Sequence, residues 1–199
     1  MLINNFEKVG YMKNEFYDAL FEFPTVAAIK DVDGLDFALK SDVKVVFVLF
    51  GDICNIESIV KQIKDSDKIA IVHIDLIDGL ANRDVAVNFL KVNTLADGVI
   101  STKANIIKKA KEVGFITVQR CFILDSLSLE ASKRYMNSGY ADAIEILPGV
   151  MPKIIKKIVD EATLPIIAGG LIEDKEDIIL ALQAGATAVS STKKEIWLE

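Results

Sequence analysis

Apolar positions in this chain come in short, nearly unbroken runs at regular spacing. The runs are TVAAIK (Thr25–Lys30), VKVVFVLF (Val43–Phe50), KIAIVHID (Lys68–Asp75), ADGVIST (Ala96–Thr102), FITVQRCFI (Phe115–Ile123), ADAIEIL (Ala141–Leu147), LPIIAGG (Leu164–Gly170) and ATAVSST (Ala186–Thr192). They are rich in Val and Ile and show little polar alternation, the pattern of strands buried on both faces. Between them the apolar spacing becomes helical. In NIESIVKQIK, Ile56, Ile59, Val60 and Ile63 share a face. In KANIIKKAKEVG, Ile106, Ile107 and Ala110 do so, and Gly114 closes the segment. MPKIIKKIVDEA carries Pro152 in its first turn, and DKEDIILALQAG opens on acids and ends at Gly185. These are ordinary helix start and stop signals.

Strands recur roughly every 20 to 27 residues, so the repeating unit is βα. Eight such units predict an α/β fold, a TIM-type (β/α)8 barrel, in one domain covering residues 1–199. An open doubly wound sheet is the competing arrangement. Only KKEIWLE follows the eighth strand, too little for a full outer helix, so the barrel is slightly truncated there. KNEFYDALFEF, ahead of the first strand, reads as an extra N-terminal helix. It either covers the barrel bottom or fills the missing position.

Composition narrows the function classes. The chain has 199 residues, 51% of them hydrophobic and 26% charged, which is a folded globular balance. Its net charge of −6 does not advertise nucleic-acid binding, although a local basic patch is compatible with it. Cys54 and Cys121 have no CxxC partner and read as small buried hydrophobes, not zinc ligands. No cationic start followed by a long apolar run is present, and no apolar run reaches the roughly 18 residues of a membrane span. These features place the protein in the cytoplasm, away from the membrane.

In such barrels the chemistry sits at the C-terminal ends of the strands. Those ends carry Lys30, Asp75, Lys103 and Glu145, with Arg120 on the fifth strand. The seventh strand ends in Gly169 and Gly170, the eighth in Ser190, Ser191 and Thr192. Adjacent glycines let an anion approach the backbone, and the neighbouring loop supplies hydroxyls and N–H groups. The segment TKKEIW then reads as the short extra helix that often accompanies a barrel phosphate site. His73, the single histidine, points either into the barrel or toward the helices. If it points inward, alternation sends Asp75 inward as well. It reads as a satisfied core residue or as half of a His–Asp proton-transfer pair. One histidine and scattered carboxylates give no metal constellation. A magnesium ion on Asp75 or Glu145 plus a substrate phosphate is the one arrangement left open.

HIDLIDGL, DGVISTK, FILDS, DAIEILPGVMPK, PIIAGGLI and GATAVSST followed by Trp197, in this order, resemble the glycerol uptake operon antiterminator family, the glycerol-3-phosphate-responsive regulators. The similarity runs from Val26 to Trp197. The resemblance implies a barrel that binds glycerol 3-phosphate as effector, needs no cofactor, and acts on a leader messenger RNA to prevent premature transcription termination. It places Gly169, Gly170, Ser190 and Ser191 on the phosphate and Lys30, Asp75, Lys103 and Glu145 at the glycerol end. The residues themselves carry no RNA-binding signature. The best basic candidates are Lys108, Lys109 and Lys111, then Lys153, Lys156 and Lys157, with Lys133 and Arg134 as a smaller third group. Ligand-induced homodimerisation would join such patches. The rim also supports another reading, an isomerase, aldolase or lyase acting on a small phosphorylated metabolite. In it Lys30 or Lys103 is the electrophile or nucleophile and Asp75 or Glu145 the base.

Overall fold

The computed structural model describes residues 5–198. Helix α1 (Asn5–Glu22) leads into β1 (Thr25–Ile29), α2 (Val32–Lys40), β2 (Val45–Val48), α3 (Ile56–Lys64) and β3 (Ile69–His73). A 3-10 turn (Ile74–Leu76), α4 (Asp84–Asn93), β4 (Gly98–Ser101), α5 (Ala104–Glu112) and β5 (Ile116–Phe122) follow. The chain continues through α6 (Ser126–Met136), β6 (Ala143–Leu147), α7 (Pro152–Val159), β7 (Ile166–Gly169), α8 (Lys175–Gln183), β8 (Ala188–Ser191) and a closing 3-10 helix (Lys194–Leu198). The strands pair in parallel in sequence order, and β8 closes on β1 with Ser190 opposite Val26. The eight strands form a closed barrel, not an open sheet.

Alternation along each strand splits the core in two. Val26, Ala28, Val45, Phe47, Ile69 and Ile71 belong to the filling of the barrel. Their neighbours Ala27, Ile29, Val46, Val48, Ala70 and Val72 pack outward with the helices. Phe16, Ala19 and Leu20 of α1 join the inner cluster, so the N-terminal helix plugs the barrel bottom. The vacant outer position is taken by the closing 3-10 helix. Its Trp197 is buried in the outer core and meets Phe37 of α2 edge-on. Both options for the missing helix are therefore used, by different segments.

Polar groups at the base are tied off. Asp142, just ahead of β6, is buried and accepts from Lys111 Nζ at 2.7 Å, from Lys13 Nζ at 2.9 Å, and from Thr117 N and Oγ1. Burial alone would raise its pKa, but the two ammonium groups outweigh it and the net direction is down. Cys121 is buried, with its thiol pushed up to about 12 by burial first and by Glu145 second. Cys54 is exposed, contrary to the sequence expectation, because it lies in the turn between β2 and α3 where no second layer covers it. Among the described residues no helix is long and apolar enough to cross a membrane.

Candidate ligand site at the barrel mouth

The inner face turns polar at the C-terminal end of the strands. Arg120 of β5 and Glu145 of β6 are register partners on adjacent strands. Arg120 Nε donates to Glu145 Oε2 in an ion pair whose side chains are only 10% and 1% exposed. Ser190 Oγ of β8 donates to the other oxygen, Glu145 Oε1, at 2.6 Å. Gly169 of β7 makes room for this contact. A Cβ there would stand 2.6 Å from Glu145 Oε1 and closer still to Ser190 Oγ. The first of the two glycines thus leaves room for the Glu145–Ser190 hydrogen bond, which a side chain there would have to displace.

Gly170, the second, has a φ of +73°, a conformation that disfavours side chains, and faces Leu147. It lines a cavity of about 260 Å3 at the mouth. The walls come from Ala28 and Leu49, from Arg120, Glu145 and Leu147, and from the loops after β7 and β8. The loop after β7 contributes Ile172 and Glu173, the end of β8 Ser190 and Ser191, and the loop after it Thr192 and Lys193. Ser191 Oγ donates to the Ile172 carbonyl at 2.7 Å, and Trp197 Nε1 donates to the Ser191 carbonyl at 2.9 Å. The two loops and the closing helix are thereby tied together.

The sequence-derived set divides at this point. Glu145, Gly170, Ser190 and Ser191 line the cavity, and Gly169 lies against its floor. Lys30, Asp75 and Lys103 do not line it. Lys30 is exposed just past β1, and Lys103 occupies the N-cap of α5. Asp75 accepts from Ser101 Oγ at 2.8 Å and from Thr102 N and Oγ1 at the end of β4. The expected parity between His73 and Asp75 fails because β3 ends at His73, and the 3-10 turn carries Asp75 across to β4. Arg120, absent from the predicted set, is the main addition. Its signal was a cation inside an apolar strand whose neighbour strand carries an acid at matching depth.

His73 is 2% exposed, and its Nδ1 is buried without a hydrogen-bond partner. The expectation of a satisfied core histidine is thus corrected: the barrel interior offers that nitrogen nothing. Burial, then the Arg120 charge, lowers its pKa to about 4 against a smaller opposite pull from Asp75, so the ring is neutral at pH 7. Among the described residues, no group of three or more His, Cys, Asp or Glu side chains is placed to hold a metal ion.

The lysine patches are partly neutralised. Lys111 pairs with Asp142, Lys109 with Glu112 at 3.7 Å, and Lys156 with Asp160. Lys133 pairs with Glu130 and Glu161. Lys108, Lys153 and Lys157 are exposed, and Lys108 lies over the Tyr140 ring.

Fold and site define a parallel β/α barrel with a buried cation–carboxylate–hydroxyl cluster at its open end. Residues 25–197 match the family model described as glycerol-3-phosphate responsive antiterminator, and the chain belongs to that family. It is 43% identical over 174 residues to the uncharacterized protein YgcP of Escherichia coli K12, covering 87% of this chain and 91% of that one. It superposes on a glycerol uptake operon antiterminator regulatory protein from Listeria monocytogenes with a TM-score of 0.82 at 32% identity, over 87% of this chain and 94% of that one. An antiterminator-related protein from Thermotoga maritima gives a TM-score of 0.77 at 32% identity, over 88% and 98%. Aldolases at 11% to 16% identity also match, and at that level they show the fold alone.

Proposed function

We propose that this protein is a cytoplasmic, glycerol-3-phosphate-responsive antiterminator that takes its effector in the mouth cavity and, when loaded, binds the leader messenger RNA of a glycerol-utilisation operon. The observation that carries the ligand half is the cavity itself. It lies between the loops after β7 and β8, where barrels commonly bind phosphate, and it presents Gly170, Thr192 and Lys193 beside Arg120. Family membership and the names of the two solved relatives support the regulatory half. The effector acts by linkage: it binds the RNA-competent state better than the other, and RNA in turn tightens the effector.

The RNA surface in this reading is built from Lys108, Lys153 and Lys157, the exposed lysines of the two groups that have no carboxylate partner among the described residues. Their paired neighbours Lys109, Lys111 and Lys156 contribute less, because each already has a carboxylate. Exposed Phe122, Leu124 and Leu127, around the β5–α6 connection, give an apolar surface on which a second copy can seat and join the patches.

The buried Arg120–Glu145 pair, with neutral His73 near Arg120, keeps an enzyme of small phosphate esters as the second reading. Filter binding of a glycerol-operon leader RNA at fixed salt, with and without glycerol 3-phosphate, separates the two. The regulator retains RNA only with the ligand present. No retention in either condition, from protein that binds the ligand by calorimetry, refutes the regulator and makes the mouth an enzyme site.

A further inference from the structure

Arg120 uses only Nε on Glu145. Its two terminal nitrogens have no protein acceptor among the described residues. They are also not among the sealed, unpartnered atoms, so they open on the cavity that Arg120 lines. Glu145 holds one donor on each oxygen, and a carboxylate has about four acceptor sites, so acceptor capacity remains. The cavity floor thus offers free donors and free acceptors side by side. Its two charges cancel, and neutral His73 adds no third. The outer wall differs: Lys193 is half exposed and its nearest acid, Glu173, is at 3.8 Å.

We infer that Arg120 and Glu145 read the hydroxyl end of the ligand and select a polyol phosphate over a phosphate ester that carries a second acid group. The inference rests on the mouth being the effector site and adds its specificity. A hydroxyl accepts from an Arg120 N–H and donates to Glu145, satisfying both at no cost in charge. A carboxylate in the same place would accept from Arg120 but lie against Glu145, with no proton to give it. Such like-charge contact is how sites reject a close analogue. Gly169 and Ser190 act through Glu145 and are positioning residues.

The test is calorimetric titration of glycerol 3-phosphate, 3-phosphoglycerate and inorganic phosphate into the wild type, Glu145→Gln and Arg120→Met. The wild type should prefer glycerol 3-phosphate over 3-phosphoglycerate by about tenfold or more, since a site with buried polar groups penalises the mismatched analogue. Glu145→Gln should shrink that preference to about threefold or less by removing the repelling charge. Arg120→Met should weaken glycerol 3-phosphate by about tenfold and leave inorganic phosphate nearly unchanged. Equal wild-type affinity for the two esters overturns the inference while leaving the mouth as effector site. So does an unchanged preference in folded Glu145→Gln. If that variant fails to fold, the wild-type ratio decides alone. No binding of any of the three by the wild type overturns the effector site and the inference together.

Discussion

The two ends of the barrel are built from the same eight strands and solve opposite problems. At the base, inner Val45, Ile69 and Ile116 pack beneath Phe16 and Leu20 of α1, and the buried Asp142 has four donors. Lys68 likewise gives its ammonium to the Ser41 and Val43 carbonyls at 2.7 Å each. At the mouth, Arg120 keeps unused donors, His73 Nδ1 has no partner, and a cavity of about 260 Å3 stays open. The base pairs its polar groups internally, and the mouth leaves some unpaired, where the proposed ligand would meet them.

Removing inner packing should break this division most visibly. Phe47→Ala should cost about 3–5 kcal/mol in denaturant unfolding. Glycerol 3-phosphate affinity per folded molecule should hardly move. Lost binding at unchanged stability would show that the ends are not separable.

The next effect belongs to pH. His73 titrates near 6.5 when unfolded and near 4 when folded, so the unfolded chain binds more protons between those values. Stability should therefore fall as pH drops, by about 2 kcal/mol between pH 7 and pH 5, and level off below pH 4. His73→Leu should flatten that slope; an equal slope in the variant would assign it to other groups.

Smaller in stability but sharper for the ligand is Gly170→Val. It forces a side chain into φ +73° with Cβ 3.1 Å from Leu147 Cδ2. The cost should be about 1–2 kcal/mol, with glycerol 3-phosphate binding lost in a protein that still folds. Smallest is Lys193→Met, at an exposed position. Stability should stay within about 0.5 kcal/mol. Ligand affinity should fall severalfold, by less at high salt, where the charge is screened.

How much of this was legible in the sequence follows from what each signal measures. All eight strands were, since burial on both faces leaves an unbroken apolar run. Helices α3, α5, α7 and α8 were singled out by apolar faces at helical spacing. Helices α2, α4 and α6 were not: VDGLDFALK contains a glycine, and α6 has few buried residues, Ser132 and Met136. Gly170, Ser190 and Ser191, which line the cavity, were singled out by local pattern. Arg120 was not placed in the site because its meaning depends on Glu145 in the adjacent strand, and register between strands is not written locally. Local pattern was also silent, for a similar reason, on what lies over Gly169. Two adjacent glycines suggest an anion nearby, but only the closed barrel shows a neighbouring carboxylate filling the space over one of them.

The most direct measurement is a crystal structure of the protein with glycerol 3-phosphate. The phosphate should lie against Gly170, Thr192 and Lys193, with the hydroxyls on Arg120 and Glu145. An empty mouth at saturating ligand would contradict this. So would ligand seated instead in the recess beside Lys108, Tyr135 and Tyr140.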